Sequence, residues 1–506
     1  MKDPKTLRSM MIVLVAIAVA ALAQAQTTAT VLHRFNCNSE GCDPGPSDLI
    51  AQSTDGNLYG TLPGGKSSWF EFPIGGSFQT TVFPSVNTHN VSANAGLTLG
   101  INGNLYGGSF VGSAGFGFLF KLVNGTPSSI YQFAGTLQTD PFFNGANPMA
   151  PPIQGPDGNL YGVTSGSNGY VYQILTATNS YGWSQKLPSA SSAPLLLASD
   201  GNLYGTFPNG FIDPVTCAIS PGGAGGVFRV TLAGNLCGFY NIDPSQNDNG
   251  LNPDGEGGNP QGPVMQGNDG NLYGTAKNAG LSMQSSAGVI FRLTLTGQYK
   301  VIHYFQDSDG TAPMGGIVQG SDNYLYLLTS AGGQPGGGKM GGGTLFKVQT
   351  DGGNPGPVAW FYHNSSTDFS GPGFAPISTP VLHTSGTIYG MTSGGGTVDD
   401  AGVLFSYNTG MTPFISVVGV RSGRPGDRVG IIGQGFDKVI GIKFGGTSVP
   451  LTKANGFIFS DTYMTTTVPP FATAGPITVT ESDGSVYTTP YNFFVPCTMP
   501  VCLRRP

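Results

Sequence analysis

Residues 199–206 have the sequence SDGNLYGT, and this stretch decides the fold because it recurs along the chain. Repetition at a period of tens of residues is the signature of repeat architectures. Six further segments share its pattern of a tight turn followed by an apolar residue and Tyr: TDGNLYGT (54–61), INGNLYGG (101–108), PDGNLYGV (156–163), NDGNLYGT (268–275), SDNYLYLL (321–328) and TSGTIYGM (384–391). Successive tyrosines are 47, 55, 43, 69, 53 and 63 residues apart, a spacing typical of a four-stranded propeller blade with variable loops.

The fifth repeat divides into four predicted strands, A to D, at 262–267, 271–276, 288–294 and 299–305. The Asn-Asp-Gly between the first two suits a tight hairpin turn with Gly in a left-handed conformation. Strand C recurs as SWFEF, GFLFKL, GYVYQI, GGVFRV, GTLFKV and GVLFSY, which makes seven sets. The repeat tyrosine on strand B is predicted to pack against the next blade, with its hydroxyl bonded to a backbone group, rather than to form a stacking platform for sugars.

The seventh repeat has strands A to C at 380–383, 387–391 and 402–407 but no strand D before a different region begins. The N-terminal segment 30–35 (TVLHRF) resembles VIHYF of the fifth repeat and precedes the first strand A. Pairing this segment with 402–407 would bury both free edges of the ring. The sequence therefore predicts an all-β fold, a seven-bladed β-propeller closed by its N-terminal strand.

Composition and the first residues indicate an exported globular protein. Of the 506 residues, 81 are Gly and 38 are Pro, which disfavours helices, while 39% are hydrophobic, which supplies a core. Residues 1–25 combine a basic start, an apolar run at 10–23 and an Ala-Gln-Ala cleavage triplet, as in a signal peptide. An uncleaved anchor is the alternative, but the run is shorter than the roughly 20 residues that a spanning helix needs. No later transmembrane segment is visible, and the net charge of −6 gives no reason to expect nucleic acid binding.

Six cysteines in an exported chain favour disulfides over a metal site. They fall into three sequence-local pairs: Cys37 with Cys42, Cys217 with Cys237, and Cys497 with Cys502. Fifteen connectivities are open to six cysteines, and neighbour pairing is the simplest. Free thiols are the alternative, while zinc is disfavoured because no CxxC spacing or nearby His pair exists.

The repeats resemble the GloVer-type tandem repeats of exported bacterial proteins, whose units read like DGNLYGT, a Gly-rich stretch and GTVFKL. The resemblance covers about residues 28–409, is strongest at 200–230 and 269–293, and implies no particular activity. The sixth and seventh repeats depart from it, with Asn323-Tyr324 and Ser385-Gly386-Thr387 in place of Asp-Gly-Asn.

The residues after 410 change to short strands with turn signals, typical of a β-sandwich. The predicted strands are FISVVGV, DRVGIIGQGF, VIGIKFGG, TYMTTTVPP, PITVTES and YNFFV. Four motifs resemble the IPT/TIG type of immunoglobulin-like domain: Arg424-Pro425-Gly426-Asp427, Gly433-Gln434-Gly435-Phe436, Lys443-Phe444-Gly445-Gly446 and Val468-Pro469. The predicted layout is a signal peptide (1–25), the propeller (26–410), the IPT/TIG domain (411–496) and a tail (497–506).

The sequence offers few groups for catalysis, so no catalytic or cofactor-binding residue is predicted. None of the five histidines is part of a motif with a catalytic partner. His33, His303 and His363 fall on outer strands, whereas His383 falls on an inner strand. The acidic segments 243–259 and 306–310 offer oxygen ligands for Ca²⁺, but neither follows EF-hand spacing, so a solvated turn is preferred. The residues that could bind calcium, as the weaker alternative to a solvated turn, are Asp248, Asp254, Glu256, Asp307 and Asp309.

A binding function is predicted for the end of the propeller that carries its variable loops, since binding residues concentrate in loops on rigid scaffolds. The loops are 208–225, 277–287 and 330–342 between strands B and C, and 243–261 between two repeats. Candidate ligand contacts are Asp248, Asp254, Glu256 and Asp309. The sequence thus favours an exported, secreted or cell-surface, non-catalytic scaffold that binds a macromolecule or a glycan. The alternatives are a propeller-type lyase or glycosidase, and a structural component of a surface layer.

Overall fold

A computed structural model gives the fold and describes residues 29–45, 48–83, 91–92, 95–111, 116–123, 125–133, 146–166, 169–245, 255–278, 287–333, 340–363, 371–396, 400–419, 421–450 and 456–496. Within them the fold is all-β, built from antiparallel strand ladders, with a short 3-10 helix at Phe436–Lys438. The predicted signal peptide and the tail at 497–506 lie outside the described residues.

Seven sheets in the described chain contain strands A, B, C and D in that order. Six of them take all four strands from one repeat, and the seventh takes its strand D from the N-terminal segment. Strands A to D of sheets 1 to 4 are Ala51–Gln52, Leu58–Leu62, Ser68–Phe72 and Gln79–Val82; Leu97–Leu99, Leu105–Val111, Phe118–Val123 and Thr126–Gln132; Ile153–Gln154, Leu160–Thr164, Tyr170–Leu175 and Ser180–Lys186; and Leu196–Leu197, Leu203–Phe207, Gly226–Val230 and Leu236–Asn241. Those of sheets 5 to 7 are Met265–Gln266, Leu272–Ala276, Val289–Leu293 and Tyr299–Tyr304; Ile317–Gln319, Tyr324–Thr329, Met340–Gln349 and Gly356–His363; and Val381–Leu382, Thr387–Thr392, Val403–Asn408 and Thr30–Arg34. Val91–Ser92 also pairs with strand B of sheet 2, and Phe211–Ile212 pairs with Ile219–Ser220 within the B–C loop of sheet 4.

The N-terminal strand completes the seventh sheet, as the sequence predicts. Thr30–Arg34 pairs antiparallel with Val403–Asn408, with Val31 opposite Phe405 and Arg34 opposite Val403. Phe35, directly after this strand, is fully buried. Strand C of the last repeat therefore has its outer edge covered by residues from the other end of the repeat region.

Consecutive sheets pack face to face through shared hydrophobic clusters. Each repeat tyrosine lies in the cluster that joins its own sheet to the next one. Tyr389 of sheet 7 packs in this way with Leu58 and Phe70 of sheet 1. The series of sheets closes on itself, so the fold of the repeat region is β-propeller-like.

The repeat motif forms a network of side chains at each A–B turn. In sheet 4 the Tyr204 hydroxyl donates to Oδ2 of Asp200 at 2.8 Å, and the backbone N–H of Asn202 donates to Oδ1 at 3.0 Å. Gly201 between them has a φ of +82°, which favours Gly. Burial of the repeat tyrosine is as expected, but the main partner of its hydroxyl is an aspartate rather than the predicted backbone group; the hydroxyl of Tyr273 also lies 3.4 Å from the Thr350 carbonyl. The hairpin brings the aspartate four residues earlier within reach of the ring, and the same pair forms in sheets 1, 3, 5 and 6.

The glycine after the tyrosine makes room for the phenylalanine of strand C. A Cβ atom on Gly205 would lie 2.4 Å from Cζ of Phe228, so a side chain there would displace the ring. A Cβ atom on Gly274 would lie at the same distance from Cζ of Phe291. This contact explains why LYG and the later Phe recur together in the sequence.

The residues after 412 form two four-stranded sheets around one core. One sheet contains Ser416–Val418, Arg428–Ile432, Tyr463–Thr467 and Gly456–Ser460, and the other contains Thr447–Val449, Val439–Phe444, Ile477–Glu481 and Val486–Thr488. The core includes Phe436, Phe444, Ile477 and Phe493. The predicted strand YNFFV is wrong, since Phe493 and Phe494 form only isolated bridges. Strands at 447–449, 456–460 and 486–488 were not predicted.

Two of the predicted disulfides are confirmed. Cys37 is bonded to Cys42, and Cys217 to Cys237, and the described part of the chain contains no free cysteine. Cys497 and Cys502 lie outside the described residues, so their pairing stays a prediction. No helix among the described residues is long and apolar enough to cross a membrane.

Candidate functional site

The two ends of the propeller-like region differ in what covers them. We call the end with the A–B turns the turn end, and the end with the B–C loops and the crossings between repeats the loop end. We call the two sheets between Ser416 and Thr488 the C-terminal sandwich, and it sits on the turn end. The Thr462 hydroxyl donates to the Thr54 carbonyl at 2.7 Å, and the Tyr463 hydroxyl donates to the Ile101 carbonyl at 3.1 Å. The Gln434 amide also donates to the Thr384 hydroxyl at 2.9 Å. The turns of sheets 1, 2 and 7 are therefore occupied by the protein itself.

Glu256, predicted as a ligand contact at the loop end, is buried with an exposed fraction of 1%. One carboxylate oxygen accepts from the Tyr240 hydroxyl, and the other accepts from the backbone N–H of Asp243 at 2.8 Å. The Tyr299 hydroxyl donates to the Glu256 carbonyl at 2.6 Å. Glu256 thus joins sheets 4 and 5 from inside, and these contacts leave it no access to a ligand at the surface.

Asp307 and Asp309 lie in the crossing that follows sheet 5. Asp307 is exposed, whereas Asp309 is half-buried and lies 3.1 Å from Nε2 of His303. The other two acidic candidates, Asp248 and Asp254, lie outside the described residues. Of the predicted ligand contacts, Asp309 alone is both described and partly open to solvent.

The acidic candidates do not come together as a metal site within the described residues. The one group there of three or more His, Cys, Asp or Glu with mutually close ligand atoms is Cys37, Cys42 and Asp43. Both of its sulfur atoms are used by the disulfide. Calcium binding therefore stays the weaker alternative to a solvated turn, and no cluster in the described chain supports it.

Three histidines make internal contacts through Nε2. The partners are Glu40 for His33 (2.9 Å), Asp309 for His303 (3.1 Å) and the Gly56 carbonyl for His383 (2.9 Å). Burial lowers the pKa of His383 below its usual value, which favours the neutral ring, and Nε2 donates to that carbonyl. This contact joins the turns of sheets 7 and 1. His89 and the side chain of His363 lie outside the described residues.

A central cavity, which sequence reasoning missed, lies among the inner strands. Its volume is about 350 Å³, and its walls include Leu99, Ile153 and Leu196 from three different sheets. Val418 and Ile432 of the C-terminal sandwich border it at the turn end. A neighbouring cavity of about 320 Å³ shares Leu49, Ile50, Val381, Leu382 and Ser416 with it. The short apolar A strands were a signal for this cavity, but they equally fit ordinary core.

Comparison with known proteins gives one family. The model of the Gloeobacter/Verrucomicrobia repeat matches residues 140–338 and 259–492, which together span more than half of the chain. No curated protein sequence matches.

The fold was also compared with solved structures. Hydrazine synthase of Kuenenia stuttgartiensis aligns with a TM-score of 0.43 and 13% identity, over 72% of this chain and 96% of that one. A fungal alcohol oxidase of the AA5 family, solved in complex with copper, aligns with a TM-score of 0.43 and 15% identity, over 91% of this chain and all of that one (100%). At these scores neither likeness carries an argument about activity.

Proposed function

This chain belongs to the Gloeobacter/Verrucomicrobia repeat family, and we propose that it is an exported, non-catalytic binding scaffold. Its repeats would form a seven-bladed β-propeller closed by the N-terminal strand, followed by an immunoglobulin-like domain of the IPT/TIG type. The ligand would be a macromolecule or a glycan, bound outside the cell or at its surface.

The architecture of the proposal is supported by the packing of the sheets. In the described chain, each of the seven sheets of the repeat region shares a hydrophobic cluster with the next one, and the last shares one with the first. The two sheets of the C-terminal region enclose a common core, as in a β-sandwich. Export is supported by the signal-like residues 1–25 and by the two disulfides.

The observation that carries the binding proposal is the position of the C-terminal sandwich. It covers the turns of sheets 1, 2 and 7 through Thr462, Tyr463 and Gln434. The loop end is where the segments differ in length from repeat to repeat, and loops on a rigid scaffold are common binding sites. The crossing that contains the exposed Asp307 and the predicted ligand contact Asp309 is therefore the preferred contact region.

A non-catalytic role is supported by how the titratable groups are used. His33, His303 and His383 each contact a group of the protein, and Glu256 is buried between two sheets. General acid–base catalysis needs a group within reach of a substrate proton. These four side chains instead hold neighbouring segments together.

The test is a glycan-binding panel for residues 26–506, run beside a panel of hydrolase and lyase substrates. We expect saturable binding to one glycan class and no turnover. Asp307→Asn should weaken binding by about tenfold if its carboxylate contacts the ligand. Asp200→Asn at the turn end is the matched control, and it should lower stability without changing the affinity of the folded protein.

Two outcomes would overturn the proposal. Turnover of a glycan that is lost with a loop-end substitution would show an enzyme. Loss of binding in Asp200→Asn, with binding retained in Asp307→Asn, would show that the turn end holds the ligand.

A further inference from the structure

The central cavity is partly open and has mainly aliphatic walls, supplied by the inner strands. Leu99, Ile153, Leu196 and Leu382 come from four sheets and are each partly open to the cavity or its surroundings. A volume of about 350 Å³ falls in the range of roughly 300–1,000 Å³ found for small-molecule sites. Binding of an apolar ligand in such a cavity is favourable because it removes apolar surface from water.

The glutamines at the ends of the inner strands do not make the cavity polar, because they bond to neighbouring turns. The Gln52 amide donates to the Thr384 hydroxyl at 2.8 Å, which links sheet 1 to sheet 7. Gln154 donates to the Gly158 carbonyl at 2.9 Å. Their polar atoms are satisfied within the protein, so the cavity offers mainly hydrocarbon.

One cation borders the neighbouring cavity. Arg421 of the C-terminal sandwich donates from Nη1 to the Gln266 carbonyl at 2.8 Å, and its guanidinium lies 3.7 Å from the centre of the Tyr491 ring. Among the described residues no carboxylate forms an ion pair with Arg421. Burial lowers the pKa of Arg421 from its ordinary value, which reflects the cost of a charge held away from water. A guanidinium has five N–H donors in a planar fork that suits a carboxylate.

We propose that the two cavities bind the anion of a fatty acid, with its hydrocarbon chain in the central cavity and its carboxylate on Arg421. The cavities share Leu49, Ile50, Val381, Leu382 and Ser416 and therefore adjoin. The proposed molecule would extend from one cavity into the other. The apolar walls account for the chain, and the guanidinium of Arg421, which contacts a carbonyl and an aromatic ring but no described carboxylate, accounts for the acid group. This site does not depend on the ligand proposed for the loop end.

The chain length and the head group give a test on the unaltered protein. Calorimetric titration of residues 26–506 with hexanoate, octanoate and decanoate should show one site, with affinity rising by roughly fourfold per added methylene. Decan-1-ol, which has the same chain without the charge, should bind about tenfold more weakly than decanoate. Equal affinities for the two, or no saturable binding of any of the four compounds, would overturn the proposal.

Two substitutions locate the site. Arg421→Gln should remove the preference for decanoate over decan-1-ol, whereas Arg424→Gln, at an exposed arginine of the same domain, should keep it. Leu196→Trp should fill the central cavity and lower the affinity for both decanoate and decan-1-ol by about tenfold or more. The melting temperature of each variant shows that it is folded. A folded Leu196→Trp that binds decanoate like the unaltered protein, or an Arg424→Gln that loses the preference, would refute the assignment.

Discussion

The hydroxyl of Tyr204 donates a hydrogen bond of 2.8 Å to Oδ2 of Asp200, and this pair ties the ring in strand B to the A–B turn. Burial is the largest reason why the pKa of Tyr204 is raised, and Asp200 raises it further, so the phenol stays protonated and donates. Tyr204→Phe should lower the free energy of unfolding by about 1–2 kcal/mol, because a charged acceptor loses a donor. Denaturant unfolding of the purified variant measures this loss.

The seventh repeat supplies the control for that prediction. Ser385 stands there at the position of the aspartate, so Tyr389 has no such carboxylate four residues earlier. Tyr389→Phe should cost about 0.5 kcal/mol or less. Equal losses in the two variants would show that the aspartate does not stabilise the turn through the tyrosine.

The strand Thr30–Arg34 should be needed for the stability of the whole ring of sheets. Deleting residues 27–36 uncovers strand Val403–Asn408 and removes Phe35 from a buried cluster. We expect the melting temperature to fall by roughly 10 °C or more, as for the loss of several kcal/mol. Calorimetry of this variant beside one lacking only residues 1–25 decides it, and equal melting temperatures would contradict the closing role of this strand.

The repeat made most strands predictable because each copy repeats the same local pattern. Strands B to D of sheet 5 lie within one residue of their predicted bounds, and strand A falls inside its predicted range. The disulfides within the repeat region were also local, since their cysteines are 5 and 20 residues apart. Local signals of this kind survive in a single sequence.

Contacts between distant segments could not be predicted in the same way. Thr462 and Thr54 are 408 residues apart, and nothing in either stretch marks them as partners. Glu256 stands in a Gly-rich acidic segment that looks solvated, yet tyrosines of sheets 4 and 5 enclose it. In the C-terminal region, Thr447–Val449 and Val486–Thr488 are three residues long, too short to show a strand period.

The buried Asp48 should make stability depend on pH. Burial raises the pKa of Asp48 to about 7, although the Thr61 hydroxyl, at 3.1 Å, and the Gly45 N–H favour the ionised form. The pKa of Asp48 is higher in the folded protein than in the unfolded one. The contribution of Asp48 to the free energy of unfolding is therefore fully present below about pH 4 and is lost as the pH rises to about 7. The loss should approach about 4 kcal/mol.

Unfolding of Asp48→Asn measures that dependence. The variant has no titrating group at position 48, so the decline in its free energy of unfolding between about pH 4 and about pH 7 should become shallower. Asp157→Asn is the control, at an exposed turn aspartate, and it should keep the decline. The same slope in Asp48→Asn and in the unaltered protein would contradict the assignment.

The third disulfide, between Cys497 and Cys502, can be tested by peptide mapping without reduction. The two confirmed bridges each join cysteines near in sequence, at separations of 5 and 20 residues. We expect a peptide that contains both Cys497 and Cys502 to be 2 Da lighter before reduction, about the mass of two hydrogens lost on bridging. A crosslink from either cysteine to the propeller-like region would contradict local pairing.

Docking of the C-terminal sandwich on the turn end can be tested at Gly56. Its φ is +83° and that of Gly201 is +82°, so an alanine pays the same backbone cost at either position. A Cβ atom on Gly56 would lie 2.8 Å from Cγ2 of Thr462, whereas one on Gly201 has nothing within 4 Å. Thr462 is β-branched and stiff, so the sandwich would have to shift.

Gly56→Ala should therefore lower the free energy of unfolding by about 1 kcal/mol more than Gly201→Ala. Thr462→Ser removes the methyl group but keeps the hydroxyl that donates to the Thr54 carbonyl. In the Thr462→Ser background the two alanine variants should lose equal stability, and the difference between backgrounds measures the contact. An excess loss at Gly56 that persists without the methyl group would mean that the two regions do not meet at Thr462.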